Sequence, residues 1–166
     1  MTKINEVISF LDSIAPQSWQ EGYDNAGLIT GNPDWTVKGI LVCLDSSENI
    51  IDEAIQTGCN MVIAHHPIIF SGLKKITGTH YVEKVIINAI KNDIAIFAIH
   101  TNLDNAFYHG VNTRFSEQLG LTDVNILAPK SETGHKNEAI GAGMYGWLPE
   151  PMATLDFFDY LKSKMS

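Results

Sequence analysis

The sequence predicts an α/β fold in which helices flank a mostly parallel sheet, and three observations point there. Short apolar runs of strand length, rich in Ile, Val, Leu and Ala, recur at 39–44, 61–64 and 94–99. Amphipathic helical stripes separate and follow these runs, the alternation expected of parallel strands joined by right-handed helical crossovers. A length of 166 residues with 45% apolar content is enough to build one core of ordinary size.

The elements follow in order. Ile4, Val7, Ile8, Leu11 and Ile14 share one face of a helix over 4–14, which Pro16 stops. Tyr23-Asp24-Asn25-Ala26-Gly27-Leu28 carries turn chemistry ahead of a short apolar stretch, and Gly31-Asn32-Pro33-Asp34 reads as a loop. The run at 39–44 is continuously apolar, as expected of a strand buried on both faces. Asp45 and Glu48 have capping-box spacing and introduce a helix through Ile50, Ile51, Ala54 and Ile55 that ends at Gly58. The second strand, 61–64, precedes a helix over 81–92 with Val82, Val85, Ile86 and Ile90 as its stripe. The third strand, 94–99, precedes a helix over about 111–119 that closes at Gly120. Residues 129–138 are polar and turn-like, and Ala139-Ile140-Gly141 suggests one more strand. Leu155, Phe158 and Leu161 mark the apolar stripe of a last helix.

Composition narrows the function. Eleven basic against 19 acidic residues give a formal charge of −8, which disfavours direct binding to a nucleic acid backbone. A polyanionic substrate would need local help, and a bound cation is one way to supply it. No apolar run is long enough to span a membrane, and the first residues lack the pattern of a signal peptide. Cys43 and Cys59, both in apolar contexts, read as buried free thiols in a reducing compartment, so the expected location is the cytoplasm.

In an open parallel sheet, ligands collect beyond the carboxyl ends of the strands. Those ends read Leu44-Asp45-Ser46, Ala64-His65-His66-Pro67 and Ile99-His100-Thr101-Asn102-Leu103-Asp104. His65, His66, His100, Asp45 and Asp104 therefore share one rim, and neutral imidazole and carboxylate are the usual ligands of zinc, iron and manganese. Adjacent histidines on a straight strand would point to opposite faces, but a chain turning at the strand end can bring both to one cavity. A metal site at the carboxyl ends of the strands is the expectation, with His65, His66 and Asp104 as its main ligands.

The other features read as structural. Gly141-Ala142-Gly143-Met144-Tyr145-Gly146 has the spacing of a dinucleotide fingerprint, but Trp147-Leu148-Pro149 follows where a helix should open. A tight turn with close backbone packing is the expected role. His80, His109 and His135 lie in polar, exposed stretches, and Glu48, Asp52 and Glu53 fit the solvated face of a helix. No Gly-x-Ser-x-Gly elbow is present, and neither cysteine has an evident partner base, so nucleophilic catalysis has little support.

At these residues the chain closely resembles the GTP cyclohydrolase 1 type 2 family, a Nif-three-like family of dinuclear metal-centre proteins. The matching segments are Tyr23-Asp24-Asn25-Ala26-Gly27-Leu28, Leu44-Asp45 with Asp52-Glu53-Ala54, and Ile63-Ala64-His65-His66-Pro67-Ile68-Ile69-Phe70. His100-Thr101-Asn102-Leu103-Asp104 and Gly110-Val111-Asn112 complete them. The match runs from roughly residue 4 to 122 and resumes at 141–152.

The resemblance implies two divalent metal ions (zinc, iron or manganese), with His65, His66 and Asp104 at positions of family ligands and His100 lining the cavity. His65 and Asp104 would hold one ion and His66 would help hold the other. It implies a hydrolase in which a metal-bridging hydroxide attacks a nucleotide-like substrate, GTP by the family's name, and a toroidal hexamer as the assembly. The family draws a further His and Glu, four residues apart, from near its C-terminus. His135 and Glu138 are three apart and do not map onto that pair. The expected organisation is thus a metal-binding α/β domain over 1–128 and a truncated start of the second family segment over 129–166. The alternative is a metal-binding or regulatory interaction protein without robust catalysis.

Overall fold

The computed structural model describes residues 1–130 and 140–165. Its elements run α1 (Ile4–Ile14), β1 (Gly27–Thr30), β2 (Ile40–Asp45), α2 (Glu48–Thr57), β3 (Met61–His66), α3 (Tyr81–Lys91), β4 (Ala95–Ala98) and α4 (Thr101–Asp104). They continue with α5 (Val111–Gln118), β5 (Thr122–Pro129), β6 (Gly141–Trp147) and α6 (Thr154–Met165). The chain separates into two compact units, Met1–Asn102 and Leu103–Ser166.

The first unit holds a four-stranded sheet in the order β1-β4-β3-β2. The three strands expected from the apolar runs are parallel, with Cys43 opposite Ala64 and Ala64 opposite Ala98. The fold is therefore α/β with a mostly parallel sheet flanked by helices. The fourth strand, β1, comes from the stretch that the sequence marks only as short and apolar, and it pairs antiparallel with β4. Gly31 ends it at φ +108°, where a Cβ would come within 2.6 Å of Ala95. Only glycine fits there.

The core lies between the sheet and helices α2 and α3. Ile51 and Ala54 of α2 and Val85, Ile86 and Ala89 of α3 pack with Val62, Ile94 and Ile96. Helix α2 ends at Gly58 in the left-handed conformation, as its sequence predicts. Its N-terminus differs from expectation: Ser47, not Asp45, is the cap, accepting from the Ile50 amide at 3.4 Å. Asp45 is the last residue of β2 and its carboxylate is engaged elsewhere.

The expectation that β2 is buried on both faces is overturned. Ile40, Val42 and Leu44 are 40%, 73% and 61% exposed, while Leu41 and Cys43 pack against the core. Two strand neighbours and helices on both faces are what bury a strand fully. The two-residue side-chain period puts Ile40, Val42 and Leu44 on the face of β2 opposite the one that packs on the core, and that face is left uncovered at this edge of the sheet.

In the second unit β5 and β6 form an antiparallel pair, Ile126 opposite Met144 and Ala128 opposite Ala142. The sequence does not announce β5, whose residues mix polar and apolar types without clean alternation. The strand suggested around 139–141 is real but longer, and the expected tight turn at 141–146 is instead part of it. Close backbone packing does hold: a Cβ on Gly141 would lie 2.3 Å from the Ala128 carbonyl oxygen. Helix α6 forms, yet Leu155 and Phe158 are exposed and none of its described residues is buried. The expected turn over 129–138 lies mostly outside the described residues.

Candidate metal centre

The rim is built by the register of the sheet. Asp45 and His66 are ladder partners at the carboxyl ends of β2 and β3. Their shared position brings the Asp45 carboxylate to 2.8 Å from His66 Nδ1. Next along, the amide of Ile99 donates to the Ala64 carbonyl at 2.9 Å, which extends the β3–β4 pairing past β4 itself. His65 Nδ1 consequently lies 3.0 Å from the Ile99 carbonyl oxygen.

His100 is placed by the turn after β4. Its amide donates to the Asn102 side-chain oxygen at 2.9 Å, and Asn102, fully buried, donates in turn to the Ala15 carbonyl. Asp24, from the loop before β1, supplies the third support. Its side chain is wholly buried, and it accepts from His100 Nδ1 at 2.8 Å, from the Thr101 amide at 3.0 Å and from the Thr101 hydroxyl. The Asn25 amide adds a fourth donor at 2.7 Å. Burial pushes the Asp24 carboxyl up, but the hydrogen bonds from His100, Thr101 and Asn25 outweigh it and hold the group below the ordinary value.

Each of the three Nδ1 atoms thus faces an oxygen acceptor, a backbone carbonyl for His65 and a carboxylate for His66 and His100. An outer acceptor of this kind is the usual support of a metal-binding imidazole. The ligand atoms of His65, His66 and His100 all lie within 4.8 Å of one another. Ring centroids are 4.9 to 5.4 Å apart. His65 and His100 are half-buried and His66 is exposed. Three converging imidazoles, each with an outer acceptor, fit a divalent transition metal.

Phe70 stands against His100 with centroids 6.4 Å apart, and Tyr23 against Phe70 at 6.2 Å. Both aromatic rings are largely exposed and extend the site as an apolar wall.

Of the sequence-predicted residues, the structure brings together His65, His66 and His100, with Asp45 behind His66. Asp104 belongs to the second unit, where the Asn112 side chain donates to its carbonyl at 2.8 Å. His80 and His109 are exposed, as expected. His135 and Glu138 lie outside the described residues. Sequence reasoning missed Asp24 as part of the site: Tyr23-Asp24-Asn25-Ala26-Gly27 reads as a turn, and nothing local couples it to a histidine 76 residues later.

Comparisons with known proteins agree with this architecture. The family model described as Duf34/NIF3 (NGG1p interacting factor 3) matches residues 2–166. A GTP cyclohydrolase 1 type 2 homolog of Clostridium acetobutylicum is 38% identical over 139 residues, covering 84% of this chain and 51% of that protein. One from Clostridium perfringens is 33% identical over 98% of this chain and 60% of its own length. The chain thus spans between half and two thirds of the curated relatives it matches here. The crystal structure of Staphylococcus aureus protein SA1388 superposes with a TM-score of 0.86 at 28% identity, covering 99% of this chain and 65% of that one. Among the described residues, no helix is long and apolar enough to cross a membrane.

Proposed function

The chain belongs to the Duf34/NIF3 family, and from that premise we propose that it is a dinuclear-metal-dependent hydrolase acting on a nucleotide-like substrate. One observation carries the reading: His65, His66 and His100 bring one ligand atom each to within 4.8 Å of one another at the carboxyl ends of the strands. In this reading His65 and Asp104 would hold one ion, and His66 would help to hold the other. The roles of Asp104 and of a second ion rest on the family resemblance. Zinc, iron and manganese all suit imidazole and carboxylate donors. A divalent ion bound there would supply Lewis acidity and would lower the pKa of a bound water toward neutrality.

The protein's own groups do the rest. Asp24 and Asp45 keep the imidazoles in one tautomer. Tyr23 and Phe70 offer an exposed aromatic wall on which a planar base can stack. The relatives' names make GTP the first substrate to try. Hexameric assembly and a cytoplasmic location belong to the same proposal. So does the organisation into a metal-binding domain over 1–128 and a second segment from 129.

The test is turnover of GTP by the chain loaded with zinc, manganese or iron(II), followed by chromatography of the products. Product formation that His65→Ala abolishes supports the reading, and no turnover by protein confirmed to hold metal overturns it. A second reading, a metal-binding interaction protein, is favoured by the open apolar side of β2 at Ile40, Val42 and Leu44. A stable complex captured without turnover would support it.

A further inference from the structure

The three imidazoles of the rim are supported unequally. His65 leans on a backbone carbonyl of the adjoining strand segment, and His66 on Asp45, its own ladder partner. Both supports follow from strand pairing alone. His100 is different, because its support arrives from a loop 76 residues earlier in the chain and is wholly buried.

We propose that Asp24 is a positioning residue that holds His100 in the Nδ1–H tautomer and thereby presents His100 Nε2 to the metal centre that His65 and His66 line. The inference rests on the proposed metal-binding reading and deepens it by adding a residue that touches no metal.

The contacts around Asp24 carry the argument. A carboxylate offers about four lone-pair sites. Here Oδ1 accepts from His100 Nδ1 and the Asn25 amide, and Oδ2 accepts from the Thr101 amide and hydroxyl. Two of these donors are backbone amides, which can only donate. With one amide on each oxygen, the carboxylate is fixed in rotation, and Oδ1 faces His100 Nδ1 at 2.8 Å. An imidazole facing an anionic acceptor carries its proton there, and its other nitrogen is basic and directed away.

The rival account is that Asp24 only pins the loop before β1 to the turn at Thr101. The two accounts separate at the imidazole. Thr101→Val removes the hydroxyl's bonds to Asp24 and to the Glu21 amide, loosening the pin, and leaves the carboxylate facing His100. Asp24→Asn preserves size but replaces one oxygen by a donor, and Asp24→Ala removes the acceptor altogether.

The first measurement is long-range proton–nitrogen-15 NMR of the metal-free chain, which reads the tautomer of each histidine and needs no variant. The parent and Thr101→Val are expected to carry the His100 proton on Nδ1, and Asp24→Ala to shift it toward Nε2. The second is competition for zinc(II) against a chromophoric chelator. Asp24→Asn and Asp24→Ala are expected to bind zinc roughly 10–100-fold more weakly, the range for losing an outer-shell partner, with Thr101→Val near the parent. Circular dichroism checks that each variant folds, and Asp24→Asn carries the comparison if Asp24→Ala does not. A His100 proton on Nε2 in the parent overturns the proposal, as does parent-like zinc affinity in a folded Asp24 variant. If the parent itself binds no zinc, the metal-binding reading fails, whereas the NMR result still decides whether Asp24 sets the tautomer.

Discussion

The buried carboxylate of Asp24 lies 2.8 Å from Nδ1 of His100, and that contact joins a loop near the start of the chain to the carboxyl end of β4. Together with Asp45 behind His66 and the Ile99 carbonyl behind His65, it gives each of the three rim imidazoles an oxygen acceptor at Nδ1.

Metal content gives the most direct check on the rim. The purified chain is expected to retain a divalent metal by elemental analysis. His65→Ala and His66→Ala should each lose more affinity than the roughly 10–100-fold that an outer-shell change costs. Asp104→Ala should weaken retention as well. Parent-like metal content in both histidine variants would remove the site.

Glu83 predicts an acid-sensitive step. It is 7% exposed and accepts from the amides of Thr77 and Thr79 and from the Thr77 hydroxyl. These bonds, the Thr77 amide foremost, hold its carboxyl at about 2. Because the folded value is depressed, the unfolded chain takes up the proton first. The stabilisation is full above the ordinary value of 4.5 and is lost as pH falls toward 2. Urea midpoints at pH 7 and pH 3 should differ less for Glu83→Gln than for the parent, and the variant should be the less stable at pH 7.

Gly110 is required by space. A Cβ there would lie 2.1 Å from the Ala106 carbonyl oxygen and 2.8 Å from that of Leu103. Both are backbone atoms that cannot swing aside. Gly110→Ala is expected to destabilise by about 3 kcal/mol, the upper part of the usual overpacking range. An unchanged urea midpoint would contradict this contact.

The exposed side of β2 makes the opposite forecast from the sequence. Val42→Lys should change stability by no more than about 0.5 kcal/mol, as surface substitutions do, and should reduce any self-association detected by light scattering at high concentration. Val62, fully buried on β3, is the contrast: Val62→Ala should cost at least about 1 kcal/mol. Equal effects at the two positions would mean that Val42 is not in solvent.

Local pattern determined much of this protein. The runs at 40–44, 61–64 and 94–99, the stripes of α1, α2 and α3 and the glycine after α2 are short-range signals, because helix and strand periods recur within a few residues. Their alternation implied a parallel sheet, and a parallel sheet puts His65, His66 and His100 at one rim. What the sequence left open depends on which strands become neighbours. That β2 is an edge with Val42 in solvent, that β1 joins antiparallel, and that Ser47 caps α2 because Asp45 faces His66 are consequences of strand order and register, set by the whole packed core. The Asp24–His100 contact belongs to the same class. No local preference encodes it, and only the folded chain brings that carboxylate to the imidazole and thereby decides where its proton sits.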